Sequence, residues 1–152
     1  VGLPADAVPA QYFAKGQYYM LSGRSPFSHL IYPIATTASL GIHVTLDLGG
    51  QVRFGPDVNW VNEVDYRFDD SRKTGFVEAI RQYYPALDAD RLQPGYVGVR
   101  PKLVSAGAPL ADFRISSSDE HGIEGLVNLF GIDSPGLTAC IAIAAVVEAR
   151  LC

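Results

Sequence analysis

Cysteine is scarce in this 152-residue sequence, and the two that occur, Cys140 and Cys152, have neither disulfide nor metal-site spacing. On one continuous helix the two thiols would lie roughly 18 Å apart, which is too far for a disulfide. Because no Cys and His spacing typical of a zinc site is present, we expect no metal. A chain without disulfides favours a reducing compartment, and we expect a cytoplasmic protein, or one held peripherally on an inner membrane.

Charge is also sparse, because only 18% of the residues are Asp, Glu, Lys or Arg and the formal net charge is −4. The sequence has no run of Lys and Arg and no basic helix, which disfavours nucleic acid as a partner. The last apolar stretch is short and contains Glu148 and Arg150, so we do not expect it to span a membrane. A hydrophobic content of 48% predicts a folded chain with a substantial core.

Apolar periodicity divides the chain into strands and two helices. Strands are predicted over 15–21, 29–34, 41–48, 51–55, 94–103, 112–116 and 126–130, with a hairpin turn at Gly49 and Gly50. Helices are predicted over 70–84 and 137–151. Strands in succession, joined in part by a hairpin, predict an α+β fold with an antiparallel or mixed sheet.

The segment 125–138 connects the last predicted strand to the last helix. An apolar run over 126–130 predicts a buried strand, Ser134 occupies the expected N-cap position, and Pro135 the first helical position. The helix carries an apolar stripe at Leu137, Ile141, Ala144 and Val147. The unpaired N–H groups of a helix start attract negative charge. The segment is therefore either an ordinary strand–helix connection or a site for an anionic group.

The predicted strand 94–103 carries two cations on one face. Alternation places Arg100 and Lys102 on the same side as Tyr96 and Gly98. Because neighbouring cations repel each other, an anion should lie nearby, either a local carboxylate or a ligand. A guanidinium suits a ligand carboxylate because it binds both oxygens at once.

His43 lies on the polar side of the alternating strand 41–48. A neutral imidazole near pH 7 suits the removal of a hydroxyl proton, which makes His43 a candidate base. A single histidine on a strand is also typical of a hydrogen-bonded structural residue, and that alternative stays open. Tyr32 is expected to line either the core or a ligand site.

Five motifs occur in an order that resembles one enzyme family: KGQYY, LIYPI, GIHVTLDLGGQVRFGPD, GYVGVRPKL and GLVNLFGIDSPGLTACIAIA. From about Lys15 to its end, the sequence is similar to FAD-dependent oxidoreductases of the D-amino-acid oxidase type, and among them to the L-2-hydroxyglutarate oxidases and dehydrogenases. The G-x-G-x-x-G turn of that family is absent, and the chain starts at Val1. The resemblance therefore implies the C-terminal portion of a longer enzyme, inactive on its own.

The resemblance also implies a division of the chain and a cofactor. Residues 1–93 would belong to a substrate-binding sheet domain, and 94–152 would return to a GR2-type FAD-binding domain and supply its final strand and helix. FAD would be held non-covalently, because relatives with covalent flavin have a Cys where this chain has Lys102. The residues implied to contact the flavin are Gly131, Ile132, Asp133, Ser134, Pro135, Gly136, Leu137 and Thr138.

The implied reaction is oxidation of a small 2-hydroxy acid, such as L-2-hydroxyglutarate, by hydride transfer to the flavin. Arg100 would bind the 1-carboxylate, Lys102 a second carboxylate, Tyr32 would line the site, and His43 would take the hydroxyl proton. The alternatives are amine oxidation by the same family and a non-catalytic binding module without flavin. The expected partners are the carboxylate substrate, the missing N-terminal FAD-binding half and a second copy in a homodimer.

Overall fold

The structure is a computed structural model that describes residues 2–34, 41–109 and 111–151. The strands are β1 (Tyr12–Leu21), β2 (His43–Leu46), β3 (Val52–Gly55), β4 (Asn59–Val61), β5 (Leu92–Lys102), β6 (Arg114–Ser116) and β7 (Asn128–Phe130). The α-helices are α1 (Lys73–Arg81), α2 (Ser118–His121) and α3 (Gly136–Leu151), and short 3-10 turns occur at Ala5–Ala7, Asp70–Arg72 and Ala89–Arg91. By their internal contacts the residues fall into two groups, which we call the sheet unit (Phe13–Arg100) and the terminal unit (Val1–Tyr12 with Pro101–Cys152).

Strand β1 organises the sheet unit because it pairs with three other strands. It runs antiparallel to β3 and to β4, and it also pairs with β5. Strand β2 pairs antiparallel with β3 through a turn that contains Gly49 and Gly50, as predicted. An antiparallel sheet with few helices confirms the predicted α+β class.

One face of the sheet packs against α1 to form the core. Tyr19 of β1 has no exposed surface, and its ring meets Phe68 and Phe76 edge-on at centroid distances of 5.0 and 4.9 Å. Its hydroxyl donates to the carboxylate of Asp70 at 2.8 Å, so burial leaves no unpaired polar group there. The buried core residues are Tyr19, Leu21, Val44, Val52, Phe54, Phe76, Ile80, Leu87 and Leu92.

Polar side chains on the same face of β1 hold the segment between β4 and α1. The ammonium of Lys15, which is 5% exposed, pairs with the carboxylate of Asp65 at 3.0 Å. The buried amide of Gln17 donates to the carbonyl of Asp69 at 2.8 Å and accepts from its N–H at 3.0 Å. A buried amide or ammonium is costly unless it is paired, so these contacts fix the path of this segment.

A bulge separates β3 from β4 along the edge of β1. The segment from Phe54 to Val61 contains one residue more than the stretch of β1 that it faces. Within the bulge, the carboxylate of Asp57 accepts the N–H of Gln17 at 2.9 Å and replaces the missing ladder bond. The interruption lets β1 keep partners on both sides of the bulge.

Three predicted elements differ in the structure. Residues 29–34 form no strand, because only Ile31 makes a bridge, to Val44, and Pro33 has no N–H to donate to a ladder. Residues 59–61 form β4 although their sequence reads as a loop. The predicted helix over 70–84 is a 3-10 turn followed by α1, which ends at Arg81.

The terminal unit contains the two-stranded sheet β6–β7 and helix α3. The run predicted as a buried strand is not buried, because Leu129 is 47% exposed. The predicted apolar stripe is uncovered as well, since Leu137 and Ile141 are 89% and 83% exposed. Within the described residues, little packs over Leu137 and Ile141.

Helix α3 begins at Gly136, one residue before the predicted range 137–151 and one residue after Pro135, the predicted first helical position. The first helical residue is Gly136, and the carbonyl of Pro135 accepts the N–H of Ala139 at 3.0 Å, so Pro135 flanks the helix and Ser134 does not cap it. No helix in the described part of the chain has the length and apolar character to cross a membrane. The thiol of Cys140 on α3 is exposed and free, and Cys152 lies outside the described residues.

Substitution of Gly55 tests how closely β3 approaches β1. Its φ is 140°, and a Cβ there would lie 2.7 Å from the carbonyl oxygen of Gln17. We expect Gly55→Ala to lower the free energy of unfolding by about 2–4 kcal/mol, because strain and overpacking act together. Urea unfolding followed by the fluorescence of Trp60, the only tryptophan of the chain, measures the change.

The matched control is Gly75→Ala in α1, where nothing lies within 4 Å of the added methyl group. Alanine in a helix should raise stability by about 0.5–1 kcal/mol. Equal effects of the two substitutions would contradict the close approach at Gly55.

Candidate functional site

The sheet face opposite α1 carries a row of residues across three strands. Gly55 of β3 pairs with His43 of β2, and the register of β1 places Tyr18 on the other side of Gly55. The ring of Tyr18 covers the bare glycine, because a Cβ on Gly55 would lie 2.9 Å from Cδ1 of Tyr18. The glycine thus allows the tyrosine ring to lie flat over β3, on the His43 side of β1.

His43 is buried at one end of this row. It is 8% exposed, and its ring stacks on Tyr32 with centroids 4.6 Å apart and planes 13° apart. The Nδ1 atom lies 3.4 Å from the carbonyl oxygen of Gly41, which can only accept, so this long contact favours the proton on Nδ1 and a free lone pair on Nε2. Sequence analysis predicted a role for both rings, and the structure brings them together.

The electrostatic surroundings keep His43 neutral. Burial lowers its pKa below the usual 6.5, and the positive charge of Arg100 lowers the pKa further, while the contact with the carbonyl of Gly41 acts in the opposite direction. An imidazole with a lowered pKa is unprotonated at neutral pH. His43 can therefore accept a proton there.

Arg100 of β5 differs from the neighbouring cations in having no acidic partner. Among the described residues, no carboxylate forms an ion pair with its guanidinium, and its side chain is exposed. Arg53, on the same sheet, pairs with Asp47 at 3.3 Å. The sequence left open whether the anion near Arg100 is a local carboxylate or a ligand, and the described chain provides no such carboxylate. Arg100 is thus available to an external anion.

Two further tyrosine residues belong to this face and were not predicted as site residues. Tyr18 and Tyr96 stack with ring centroids 4.6 Å apart and planes 12° apart. The guanidinium of Arg53 lies over the ring of Tyr96 at 6.0 Å from its centroid. A signal was present in the sequence, because Tyr18 alternates with the buried Gln17 and Tyr19, and so points away from the core.

In the terminal unit, the turn between β7 and α3 is shaped by its own packing. Gly131 has φ 68°, and a Cβ there would lie 2.8 Å from Cδ1 of Leu103. Gly136 is buried, and a Cβ there would lie 2.7 Å from Cγ2 of Ile132. A Cβ at either glycine would therefore displace a neighbouring side chain.

The acidic residue of this turn is neutralised. The ammonium of Lys102 pairs with the carboxylate of Asp133, and both side chains are mostly buried. The pair removes the negative charge that Asp133 would otherwise place beside the start of α3. The ammonium of Lys102 therefore already has a carboxylate partner, and whether it also binds substrate stays a prediction.

The start of α3 offers unpaired donors. In the described part of the chain, no acceptor bonds the backbone N–H of Leu137 or of Thr138, and both residues are exposed. Ser134 and Pro135 form an exposed turn just before them. Free N–H groups at the positive end of a sixteen-residue helix fit the negatively charged end of a reduced flavin.

The structure groups the predicted site residues in two places. Tyr32, His43 and Arg100 belong to one sheet face of the sheet unit, and the charge of Arg100 acts on His43. Lys102 and the turn residues from Gly131 to Thr138 belong to the terminal unit. Among the described residues, no cluster of His, Cys, Asp and Glu could hold a metal ion.

Two comparisons of the sequence give the same family. The sequence profile described as FAD dependent oxidoreductase, the DAO family, matches residues 2–150. The "L-2-hydroxyglutarate dehydrogenase, mitochondrial" of Arabidopsis thaliana is 48% identical over an alignment of 155 residues. The alignment covers 94% of this chain and 32% of that protein. The chain spans about a third of the length of this relative.

Solved structures show the same fold. The L-alpha-glycerophosphate oxidase of Mycoplasma pneumoniae, with FAD bound, has a TM-score of 0.72 at 22% identity, over 93% of this chain and 36% of that one. The glycerol-3-phosphate dehydrogenase of Bacillus halodurans, in complex with FAD, has a TM-score of 0.61 at 17% identity, over 91% of this chain and 27% of that one.

The resemblance inferred from five motifs is therefore confirmed, and so is FAD as the cofactor of the enzyme class. The family profile extends over nearly the whole chain, well beyond the motifs themselves. The chain belongs to the DAO family of FAD-dependent oxidoreductases.

Proposed function

We propose that this chain is part of an FAD-dependent dehydrogenase or oxidase that oxidises a small 2-hydroxy acid, L-2-hydroxyglutarate or a close analogue. The observation that carries the proposal is the exposed, unpaired guanidinium of Arg100, whose charge acts on the buried, neutral His43. A cation for a carboxylate and a base for a hydroxyl proton are the two groups that a 2-hydroxy acid requires. The name of the Arabidopsis thaliana relative supports the choice of substrate.

Arg100 binds the 1-carboxylate of the substrate in this proposal. A guanidinium donates two parallel N–H bonds to the two carboxylate oxygens, and so fixes the orientation of the carbon next to them. Because no carboxylate of the described chain pairs with Arg100, binding of the substrate carboxylate breaks no ion pair within the protein. The bound carboxylate would also cancel the charge that lowers the pKa of His43.

His43 accepts the proton of the substrate hydroxyl at Nε2. Burial keeps the imidazole unprotonated before the substrate arrives, and the contact with the carbonyl of Gly41 leaves the proton on Nδ1. Stacking on Tyr32 restricts rotation of the ring. A base held in one orientation needs no reorganisation when the proton moves.

FAD, when bound, would supply the acceptor for the hydride from C2 of the substrate. The residues of this chain that would hold it are those of the turn before α3. The N–H groups of Leu137 and Thr138 would stabilise negative charge on the cofactor, and Asp133 does not oppose it because Lys102 neutralises its carboxylate. We propose non-covalent binding, because Lys102 stands where relatives with covalent flavin have a Cys.

We also propose that the chain consists of two functional parts. We assign the substrate-binding sheet domain to residues 1–93 and the return to the FAD-binding domain to 94–152, where Arg100 also serves the substrate, with an N-terminal FAD-binding half as the main partner. The exposed Leu137 and Ile141 on α3 favour such a partner, or a second copy in a homodimer. For the compartment we propose the cytoplasm or the periphery of an inner membrane, while the name of the plant relative says mitochondrial.

Anaerobic bleaching of the flavin in the full-length protein tests the reaction and the role of Arg100 together. L-2-hydroxyglutarate should bleach the flavin absorbance. Arg100→Ala should raise the concentration for half-maximal bleaching at least about thirtyfold, because loss of one partner of a charge pair costs about 2–5 kcal/mol.

The control is Arg24→Ala, which removes an exposed arginine and should leave the response unchanged. Bleaching by amino acids alone would replace C–O oxidation with amine oxidation. A protein that holds no flavin would instead support a non-catalytic binding module.

The pH dependence of kcat/KM tests His43. Because burial lowers the pKa of His43 below 6.5, the base is present at neutral pH and activity should be lost only as pH falls through that lowered pKa. His43→Gln should reduce kcat by about 10²–10⁴-fold and abolish this acid limb. In the wild type, the acid limb of kcat should lie at higher pH than that of kcat/KM, since the bound carboxylate cancels the charge of Arg100.

His29→Gln, which changes an exposed histidine, should leave both pH profiles intact. An acid limb that survives in His43→Gln would assign the base to another residue.

A further inference from the structure

The stacked pair of Tyr18 and Tyr96 has no role in the reaction as assigned above. The two rings lie on the same sheet face as His43 and Arg100, and Tyr96 is 51% exposed. We propose that this pair binds the distal carboxylate of the substrate through the hydroxyl of Tyr96, and so selects dicarboxylates. The inference rests on the proposed oxidation of a 2-hydroxy acid.

The ring of Tyr96 is held in place by two contacts. Tyr18 stacks on it at 4.6 Å, and Tyr18 is itself fixed because its ring covers Gly55. The guanidinium of Arg53 lies over the ring of Tyr96, and its own position is set by the ion pair with Asp47. An aromatic hydroxyl on a fixed ring presents its donor at little cost in conformational entropy.

The hydroxyl of Tyr96 is available to a ligand. Within the described residues, the hydroxyls of Tyr19 and Tyr83 donate to protein oxygens, and that of Tyr96 does not. Burial raises the pKa of Tyr18, and the neighbouring Tyr96 raises it further, so Tyr18 stays protonated beside it. The Tyr96 hydroxyl can therefore donate to an external acceptor.

The local charge favours a carboxylate as that acceptor. The positive charge of Arg100, which has no carboxylate partner among the described residues, acts on Tyr18. Lys102, which the family resemblance implies for a second carboxylate, already pairs with Asp133. In the described sheet unit, the donor best placed for a distal carboxylate is therefore the hydroxyl of Tyr96.

The order of residues across the sheet gives the direction of the substrate. His43, Gly55 and Tyr18 follow one another on neighbouring strands, and Tyr96 stacks beyond Tyr18. With its hydroxyl at His43 and its 1-carboxylate at Arg100, a substrate would extend its remaining carbons along the edge of the stacked rings. Its far end would then reach Tyr96.

The test compares two substrates that differ only in the distal carboxylate. The kcat/KM of the full-length protein is measured with L-2-hydroxyglutarate and with L-2-hydroxypentanoate, for the wild type and for Tyr96→Phe. Tyr96→Phe should lower the preference for the dicarboxylate by about tenfold or more, because a hydrogen bond to a charged group is lost. Activity on the monocarboxylate should stay within about twofold.

Tyr18→Phe separates positioning from contact. It keeps the stacked ring and removes only the hydroxyl of Tyr18, so its loss of preference should be smaller than that of Tyr96→Phe. The control Tyr66→Phe removes the hydroxyl of a tyrosine that is 63% exposed and should change neither substrate. Flavin content and thermal midpoint, measured for each variant, identify any that fails to fold.

An unchanged preference in a folded, flavin-loaded Tyr96→Phe would overturn the inference and leave the proposed function standing. Collapse of the preference in Arg53→Met but not in Tyr96→Phe would also overturn it, and would assign the distal carboxylate to Arg53. A wild type that oxidises neither substrate would refute the proposed function itself.

Discussion

The alternation of side chains along β1 is the constraint on which the sheet unit depends. Every second residue, including Gln17 and Tyr19, enters the core or pairs with the segment before α1, and this fixes the strand. The residue between them, Tyr18, must then point to the other face. Stability and the candidate site thus use opposite sides of one strand, and the buried side determines where the rings of the other side lie.

The paired cations explain why one cation stands out. Lys15, Arg53 and Lys102 each have a carboxylate partner within the described chain. These pairs balance charge locally, so they contribute little to the field felt by a ligand. Arg100 has no such partner, and its charge reaches both His43 and Tyr18. Among the described residues of this face, Arg100 is therefore the uncompensated positive charge that an approaching anion meets.

Much of the fold could be predicted because local patterns and tertiary packing agree in the sheet unit. The alternation around His43 and the hairpin at Gly49 and Gly50 are examples, since each depends on nearby residues alone. The bulge before β4 could not be predicted, because it is completed by a long-range contact. The carboxylate of Asp57 accepts the backbone N–H of Gln17, forty residues earlier in the chain. In the terminal unit the apolar pattern predicted burial of Leu129, and the described chain covers only about half of its surface.

The candidate site was only partly visible in the sequence. Residue type and strand face made Arg100 and His43 candidates, and the family resemblance gave them their predicted roles. The stack of Tyr18 on Tyr96 depends on the pairing of β1 with β5 and on the space above Gly55, neither of which a linear pattern contains. The partner of Lys102 depends on the fold of the turn that carries Asp133.

The packing of the turn before α3 has a consequence for the energetics of binding. Gly131 meets Leu103, and Gly136 meets Ile132, so side chains within the terminal unit already impose the path of the backbone. A loop whose shape is set by its own neighbours does not need to be ordered by a ligand, and the entropy loss on association is correspondingly smaller. For the start of α3, the affinity for a negatively charged group would then arise from the donors themselves, with little of it spent on folding the loop that presents them.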